Sequence, residues 1–229
     1  MNRKYLAVIV VVIAVLVLLP LKPVIAQWFY FQTYLPIVMK SEIPTVPPDP
    51  NVITFTGTGD QIIDFDNPFG KAFIHATYSG ERNFIIRTVD ENNEHLELLV
   101  NTIGSYDGLR AMDLHEWWGH TKRFQVTSSG AWTIVVSPLS PAYVRTCQIP
   151  GICVGTGDDL FYISGGTPDM MSFSYYGPSN IIVYSHSVDD YDLLVNEIGD
   201  YSGTVLIPTN TTWIEVESSG TFTAEIKTR

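Results

Sequence analysis

The sequence is poor in charged residues, above all basic ones, and has almost no cysteine. Only 16% of its 229 residues are charged, and 24 Asp and Glu stand against 13 Lys and Arg, a formal net charge of −11 at pH 7. Phosphates repel an acidic chain, which argues against nucleic acid and anionic membrane surfaces as partners. Two cysteines exclude a disulfide-dense miniprotein, and 45% hydrophobic side chains exclude wholesale disorder.

The sequence also lacks the motifs of common enzyme classes. It contains no Gly-x-Ser-x-Gly elbow, no Ser-x-x-Lys pair and no Cys–His pairing, so nucleophilic catalysis has no support. His115 and His120 flank Glu-Trp-Trp-Gly, which is similar to the His-Glu-x-x-His zinc motif. A spacing of five residues, however, puts the two imidazoles about 140° apart on a helix. We therefore expect no enzyme activity, with an enzyme of unknown class as the remaining alternative.

The longest apolar run lies at the N-terminus. Arg3 and Lys4 precede a run rich in Val, Ile and Leu, and residues 1–26 end in Val-Ile-Ala. This order is typical of an export signal that is cleaved after Ala26. Residues 5–21 are alternatively long enough to remain as a membrane anchor. In both cases we expect the bulk of the chain outside the cytoplasm, secreted or at the cell surface.

A proline-rich segment follows the leader. Residues 27–50 begin with an aromatic patch and end with four prolines within seven positions. Such proline density favours an extended, semi-rigid spacer, so this segment is predicted to be a stem.

The two cysteines are close in sequence. Cys147 and Cys153 bracket Pro150-Gly151, a strong turn signal that can bring the two sulfurs together. This spacing predicts an intrachain disulfide, which agrees with an oxidising compartment.

The rest of the chain consists of two similar halves. Four ordered blocks recur 90 to 98 residues later: 57–60 at 155–158, 83–86 at 180–183, 98–108 at 193–203, and 126–133 at 216–223. This period is too long for solenoid repeats and predicts two small tandem domains, at 51–146 and 147–229.

Each half shows the pattern of short β-strands. Segments rich in Val, Ile, Thr, Phe and Trp alternate with polar residues and are bounded by Gly, Ser, Asn or Asp. No convincing amphipathic helix follows residue 27. The predicted fold is all-β, with two tandem antiparallel β-sandwich, jelly-roll-like domains after the N-terminal segment.

The repeated blocks resemble a known type of accessory repeat. The Gly-x-Gly-Asp start, the Leu-Leu-Val-Asn-x-Ile-Gly-x-Tyr-x-Gly block and the Ser-Gly-x-Trp/Phe-Thr close resemble a repeat of uncharacterised exported bacterial proteins. That repeat is broadly similar to pre-peptidase C-terminal-type sandwiches. The resemblance implies a secreted accessory or interaction domain and supplies no catalytic residues.

Aromatic pairs are the candidate binding residues. Trp117 and Trp118 lie in a segment that the second half lacks, and Tyr175 and Tyr176 form a second pair. Adjacent residues of an extended backbone point to opposite sides, so one ring of a pair is available for stacking on a sugar or a protein. The alternative is that one Trp caps the sandwich core and the other packs locally.

Acidic residues are the candidate metal ligands. Asp189, Asp190 and Asp192 form a dense cluster whose oxygens could hold calcium outside the cell. A solvated acidic face explains the same cluster, and no other cofactor is expected.

The expected function is a non-enzymatic exported or cell-surface binding or structural module with a protein or glycan partner. Carbohydrate binding is the alternative, and membrane contact is expected only through the N-terminal segment.

Overall fold

The computed structural model describes residues 51–115, 119–188 and 190–229, in which the chain forms seventeen β-strands and no helix. The first eight strands are β1 (Ile53–Thr58), β2 (Gln61–Asp64), β3 (Ala72–Tyr78), β4 (Asn83–Val89), β5 (His95–Ile103), β6 (Tyr106–Met112), β7 (Arg123–Thr127) and β8 (Ala131–Pro138). The other nine are β9 (Thr146–Gln148), β10 (Gly151–Thr156), β11 (Asp159–Ser164), β12 (Pro168–Tyr176), β13 (Asn180–His186), β14 (Tyr191–Ile198), β15 (Tyr201–Leu206), β16 (Trp213–Glu217) and β17 (Thr221–Thr228).

Alternating apolar residues explain why these segments form strands. In β8, Trp132, Ile134 and Val136 are buried, and the residues between them are only partly buried. Successive side chains of a strand point to opposite faces, so this alternation buries one face of each sheet. The predicted all-β fold is confirmed.

The sheets form two antiparallel β-sandwiches in tandem. In the first, a sheet of order β1-β8-β3-β6 packs on a sheet of order β2-β7-β4-β5. In the second, β10-β17-β12-β15 packs on β14-β13-β16-β11-β9. Strand β9 pairs with β11 in parallel, and every other pairing between the described strands is antiparallel. Without β9, the two halves have the same strand order, as a duplicated sequence requires.

Each sandwich has its own core of large apolar side chains. Fully buried members of the first core are Ile74, Phe84, Ile86, Met112 and Phe124. Those of the second are Ile149, Phe161, Met171, Phe173 and Ile181. Complete burial of such side chains contributes about 1.5–3 kcal/mol each, so each half has enough apolar surface for a core of its own.

The repeated Gly-x-Gly-Asp motif forms a turn that is packed against the last strand of each sandwich. A Cβ at Gly57 would lie 2.3 Å from the Trp132 ring, so only glycine allows this approach. Gly59 has a φ of 74°, and the Asp60 carboxylate accepts a hydrogen bond from the Ser128 backbone N–H at 2.9 Å. The second half repeats these features with Gly155, Phe222, Gly157, Asp158 and Ser218. The motif therefore recurs for a structural reason.

The predicted disulfide is present. Cys147 lies in β9 and Cys153 in β10, with 5.9 Å between their Cα atoms. Since β9 and β10 belong to opposite sheets of the second sandwich, the bond joins these sheets at one end.

The N-terminal predictions lie outside the described residues. These are the export segment at 1–26, the anchor at 5–21 and the stem at 27–50. In the described part of the chain, no helix is long and apolar enough to cross a membrane.

We predict that Gly57→Ala and Gly155→Ala each destabilise the protein. The new methyl group would meet Trp132 or Phe222 at 2.3 Å, and such overpacking costs about 1–3 kcal/mol. Urea unfolding followed by circular dichroism measures the loss, with the exposed Ser202→Ala as the control. Unchanged midpoints for both alanine variants would contradict the packing role of the motif.

Candidate functional site

The two sandwiches meet through a third apolar cluster. Its buried members are Phe73, Ala111, Leu114, Val144 and Leu160, and Trp213 packs against them. These residues come from the outer faces of β3 and β6 in the first sandwich, of β11 and β16 in the second, and from the connecting segments. The outer face of one sheet of each sandwich is therefore covered by the other sandwich.

A buried arginine lies at this junction. Arg110, on β6, has a side chain that is 11% exposed. Its Nη2 donates to Glu217 Oε1 at 2.6 Å, and its Nε lies 3.2 Å from Glu215 Oε1. Asp158 Oδ2 lies 3.9 Å from Nη1. One guanidinium of the first sandwich thus faces three carboxylates of the second.

Burial and ion pairing shift the pKa values of Arg110 and Glu215 in opposite directions. Burial lowers the pKa of Arg110, but the carboxylates of Glu215 and Glu217 outweigh it and hold that pKa above its ordinary value. Burial raises the pKa of Glu215, but the Arg110 guanidinium and the hydrogen bonds from His186 and Ala111 together lower it more, so the net shift is downward. Arg110 and Glu215 are therefore both charged, and each depends on the other for compensation.

Hydrogen bonds from β6 also reach the second sandwich. The Leu109 N–H donates to the Asp158 carbonyl oxygen at 3.0 Å, and the Ala111 N–H donates to Glu215 Oε1 at 3.2 Å. The Tyr106 hydroxyl donates to Asp158 Oδ2 at 2.7 Å. Because β6 is an edge strand of its own sheet, these bonds use groups that the first sandwich leaves unpaired.

Two cavities open beside the ion pairs. One, here the aromatic cleft, has a volume of about 520 Å³ and is lined by Glu97, Leu98, Tyr184, His186 and Tyr191, among others. The second, here the polar cleft, has a volume of about 740 Å³ and is lined by Asn101, Ser105, Ser179, Asn180 and Ser218, among others. Leu98, Leu99, Arg110 and Glu217 line both. The ion pairs therefore lie where the two cavities adjoin.

Four aromatic rings stand together at the aromatic cleft. The Tyr184 and Tyr191 centroids are 6.0 Å apart, and the His186 centroid is 6.1 Å from Tyr184 and 6.2 Å from Tyr191. The ring of His115, from the first sandwich, lies 5.3 Å from that of Tyr191. His186 Nε2 lies 3.1 Å from Glu215 Oε2, which connects the rings to the ion pairs.

Glu97, in the aromatic cleft, has a pKa near neutral pH. Its pKa is raised to about 7, mainly by burial, and the carboxylates of Asp113 and Glu215 act in the same direction. A hydrogen bond from the Asp113 backbone N–H to Glu97 Oε2, at 3.2 Å, acts in the opposite direction. Glu97 thus exchanges a proton under conditions in which Glu215 stays ionised.

Of the predicted aromatic pairs, only Tyr175 and Tyr176 lie in the described part of the chain; Trp117 and Trp118 lie outside it. Tyr175 is only 3% exposed, packs in the second core and lies within hydrogen-bond distance of the Ser219 hydroxyl, so its ring offers no stacking surface. Tyr176 is 74% exposed and remains available. The difference follows from alternation along β12, which turns one residue of the pair inward.

The predicted acidic cluster is only partly described. Asp190 and Asp192 are exposed, and Asp189 lies outside the described residues. Among the residues that are described, no group of three or more His, Cys, Asp or Glu side chains could hold a metal ion. Calcium binding at this cluster remains a prediction.

The two histidines of the zinc-like motif contact different partners. His115 packs against the rings of His186 and Tyr191 in the second sandwich. His120 Nε2 lies 3.1 Å from Asp66 Oδ1 in the first sandwich. The two histidines therefore have different surroundings, while Glu116 between them lies outside the described residues.

Sequence reasoning missed the residues of the junction, although a signal for them exists. By the alignment of the two halves, Arg110, Glu215 and Glu217 correspond to Val205, Gln125 and Thr127. Likewise Tyr184, His186 and Tyr191 correspond to Arg87, Val89 and Leu96. At these six positions the two halves differ in charge or aromatic character, and all six lie where the two sandwiches meet.

Comparisons with known proteins add no functional argument. No family model and no curated protein matches the chain, so the resemblance to the accessory repeat stays a prediction. Among similar solved structures, the cAMP-bound PfPKA-R gives a TM-score of 0.20 at 8% identity, covering 73% of this chain and 71% of that chain. The regulatory subunit of a cAMP-independent protein kinase A from Trypanosoma cruzi bound to guanosine gives a TM-score of 0.23 at 9% identity, covering 76% of this chain and 72% of that chain. The regulatory domain of Toxoplasma gondii PKA with cAMP gives a TM-score of 0.22 at 7% identity, covering 73% of this chain and 78% of that chain. TM-scores this low support no inference about this chain.

We predict that Arg110→Met destabilises the protein by about 3–5 kcal/mol, because it leaves buried carboxylates without a counter-charge. Arg123→Met is the control, since Arg123 forms a more exposed ion pair with Asp64 and its loss costs about 1 kcal/mol or less. The free energy of unfolding in urea measures both effects. A loss for Arg110→Met no larger than that of the control would show that the buried pairs do not hold the junction.

We predict that Glu97→Gln changes the pH dependence of stability. A carboxyl whose pKa is raised to about 7 in the folded protein binds a proton that the unfolded chain has lost, so stability falls as pH rises from about 4.5 to 7. The glutamine variant should lose this decline and exceed the parent protein in stability at pH 8. Melting temperatures between pH 4 and pH 8 measure the difference, and parallel profiles would contradict the assignment.

Proposed function

We propose that the protein is a non-enzymatic binding module that acts outside the cytoplasm and holds its ligand in the cleft between its two β-sandwiches. The observation that carries this proposal is the departure from the repeat at the cleft. Charged and aromatic side chains line the cleft, and the equivalent positions of the opposite repeat hold Gln, Thr, Val, Leu or Arg. The aromatic cleft combines aromatic side chains with converging charged groups, and such polar groups fix the orientation of a small ligand.

The junction supports binding because it fixes the walls of the cleft. Arg110 reaches across to Glu215 and Glu217, and the Leu109 and Ala111 amides bond to the second sandwich. A cleft whose walls are already in place loses little conformational entropy when a ligand enters. The two sandwiches therefore serve as one preorganised binding unit.

Export is supported by the leader and by the disulfide. Disulfides persist in oxidising compartments, and Cys147–Cys153 joins the two sheets of the second sandwich. The proposal takes residues 1–26 as the export segment, cut after Ala26 or retained as an anchor, and residues 27–50 as the stem. The binding unit then stands at the cell surface or is released.

The proposal assigns ligand binding, not catalysis, to the charged groups of the cleft. Arg110 lowers the pKa of Glu215, so this carboxylate stays ionised at neutral pH and acts as a fixed negative charge in the cleft. The alternative of carbohydrate binding retains Tyr176, which is 74% exposed on β12, together with Trp117 and Trp118, which lie outside the described residues. Tyr176 does not line the cleft, so substitutions at Tyr176 and in the cleft test the two candidates separately.

We predict that Leu98→Trp abolishes ligand binding. Leu98 is 47% exposed and lines both cavities, so an indole ring at this position fills the space that a ligand would occupy. Leu193→Trp is the matched control, because Leu193 is the repeat counterpart, is 52% exposed and lines neither cavity. A thermal-shift screen of the full chain against sugars, peptides, amines and carboxylates measures the effect.

Compounds that stabilise the parent protein and the Leu193 variant should fail to stabilise the Leu98 variant. Equal stabilisation of both variants would contradict the cleft as the site. If the active compounds are oligosaccharides that Tyr176→Ala eliminates and Leu98→Trp leaves unaffected, the carbohydrate-binding alternative replaces the proposal.

A further inference from the structure

We infer that the aromatic cleft binds a small organic ammonium ion, a protonated primary or secondary amine, through Glu97, His186 and the rings of Tyr184 and Tyr191. This inference rests on the proposed function and names the ligand class of the same site. Its grounds are the charge of the cleft, a buried acceptor that has no partner in the described chain, and the aromatic wall.

The charge of the cleft favours a cation. Its lining includes three carboxyl groups, on Glu97, Glu215 and Glu217, against the single guanidinium of Arg110. That guanidinium is paired with Glu215 and Glu217 and also attracts Glu97, so one positive charge faces three carboxyl groups. A buried site with excess negative charge attracts a cation more strongly than it would in open water.

His186 supplies a buried acceptor. Its side chain is 4% exposed and lines the cleft, and its Nδ1 has no hydrogen-bond partner within the described part of the chain. The Glu215 carboxylate, ionised because its pKa is lowered, accepts at 3.1 Å from His186 Nε2, which must therefore carry the proton. In the neutral form of the ring, Nδ1 presents a lone pair, and a ligand N–H would satisfy it.

The ring cluster suits the same ligand. Tyr184, His186 and Tyr191 have centroids 6.0–6.2 Å apart and line one cavity. Ring faces within about 6 Å attract ammonium groups, and the attraction grows when water is excluded. The rings also provide apolar surface for the carbon chain of an amine.

A quaternary ammonium or a metal ion fits less well. A quaternary nitrogen has no N–H to donate to Nδ1 or to a carboxylate. Among the described residues no group of three or more metal-ligating side chains was found. A cavity of about 520 Å³ accommodates a short alkyl chain with its ammonium group.

Amine binding should be linked to the loss of a proton from Glu97. Glu97 has a pKa of about 7 in the free protein, and a bound cation stabilises its ionised form. Amine binding should therefore release about half a proton at pH 7 and should strengthen about tenfold from pH 6 to pH 8. The charged and titratable groups that face Glu97 from the elements around it are Arg110, Asp113, His95, His186, Glu215, Glu217, Tyr184 and Tyr191.

The test is isothermal titration calorimetry of the full chain with n-butylammonium. Butyltrimethylammonium, n-butanol and butyrate serve as comparison ligands of similar length. We expect n-butylammonium to bind at least tenfold more tightly than each of the three, with the pH dependence and proton release given above. Repeating the titration in buffers of different ionisation enthalpy measures the proton release.

Two substitutions and one matched control locate the site. Glu97→Gln should weaken n-butylammonium binding about tenfold or more and remove the proton release. His186→Phe keeps a ring but removes the acceptor and should also weaken binding. Asp192→Asn should change neither, since Asp192 is the repeat counterpart of Glu97, is exposed and does not line the aromatic cleft.

The outcomes separate this inference from the proposed function. Equal or tighter binding of n-butanol, butyrate or butyltrimethylammonium would overturn the inference, as would unchanged amine binding by Glu97→Gln. If other compounds bind and Leu98→Trp still eliminates them, the proposed function stands and only the ligand class is wrong. If n-butylammonium binds the parent protein and the Leu98→Trp variant equally, the cleft is not the site and both fail.

Discussion

The pairing of one buried arginine with the carboxylates of the opposite sandwich is the constraint on which the rest of the structure depends. Arg110 would be strongly unfavourable without a counter-charge, and so would Glu215, so each requires the two sandwiches to meet in one arrangement. The apolar cluster around Phe73 and Leu160 excludes water there, which strengthens the pairing. The position of the cleft follows, because both cavities open beside these ion pairs.

The two halves share one scaffold, and they differ in the side chains on one outer face. The Gly-x-Gly-Asp turn and the strand order recur because packing and backbone geometry demand them in both halves. The outer face of β13 and β16, by contrast, carries Tyr184, His186 and Glu215 where the first half has Arg87, Val89 and Gln125. The second half thus carries the face that forms a wall of the cleft.

The sequence allowed the fold to be predicted better than the site. Alternation of apolar and polar residues in segments such as Trp132–Val136 predicts which side chains are buried, and this prediction is confirmed. The turn signal Pro150-Gly151 between two cysteines predicts the disulfide, which is also confirmed. For the pair Tyr175 and Tyr176, alternation shows that the two residues face opposite ways but not which one faces the core. Arg110 and Glu215 were missed because they lie about a hundred positions apart, and only the packing of the two sandwiches brings them together.

The most direct test of the junction is amide hydrogen exchange at Leu109 and Ala111. These two N–H groups lie on an edge strand and bond to Asp158 and Glu215 of the other sandwich. If the sandwiches are held together as described, both amides should exchange as slowly as those in the core strands. Exchange as fast as that of an exposed edge would show that the sandwiches separate in solution and that the cleft is not a stable feature.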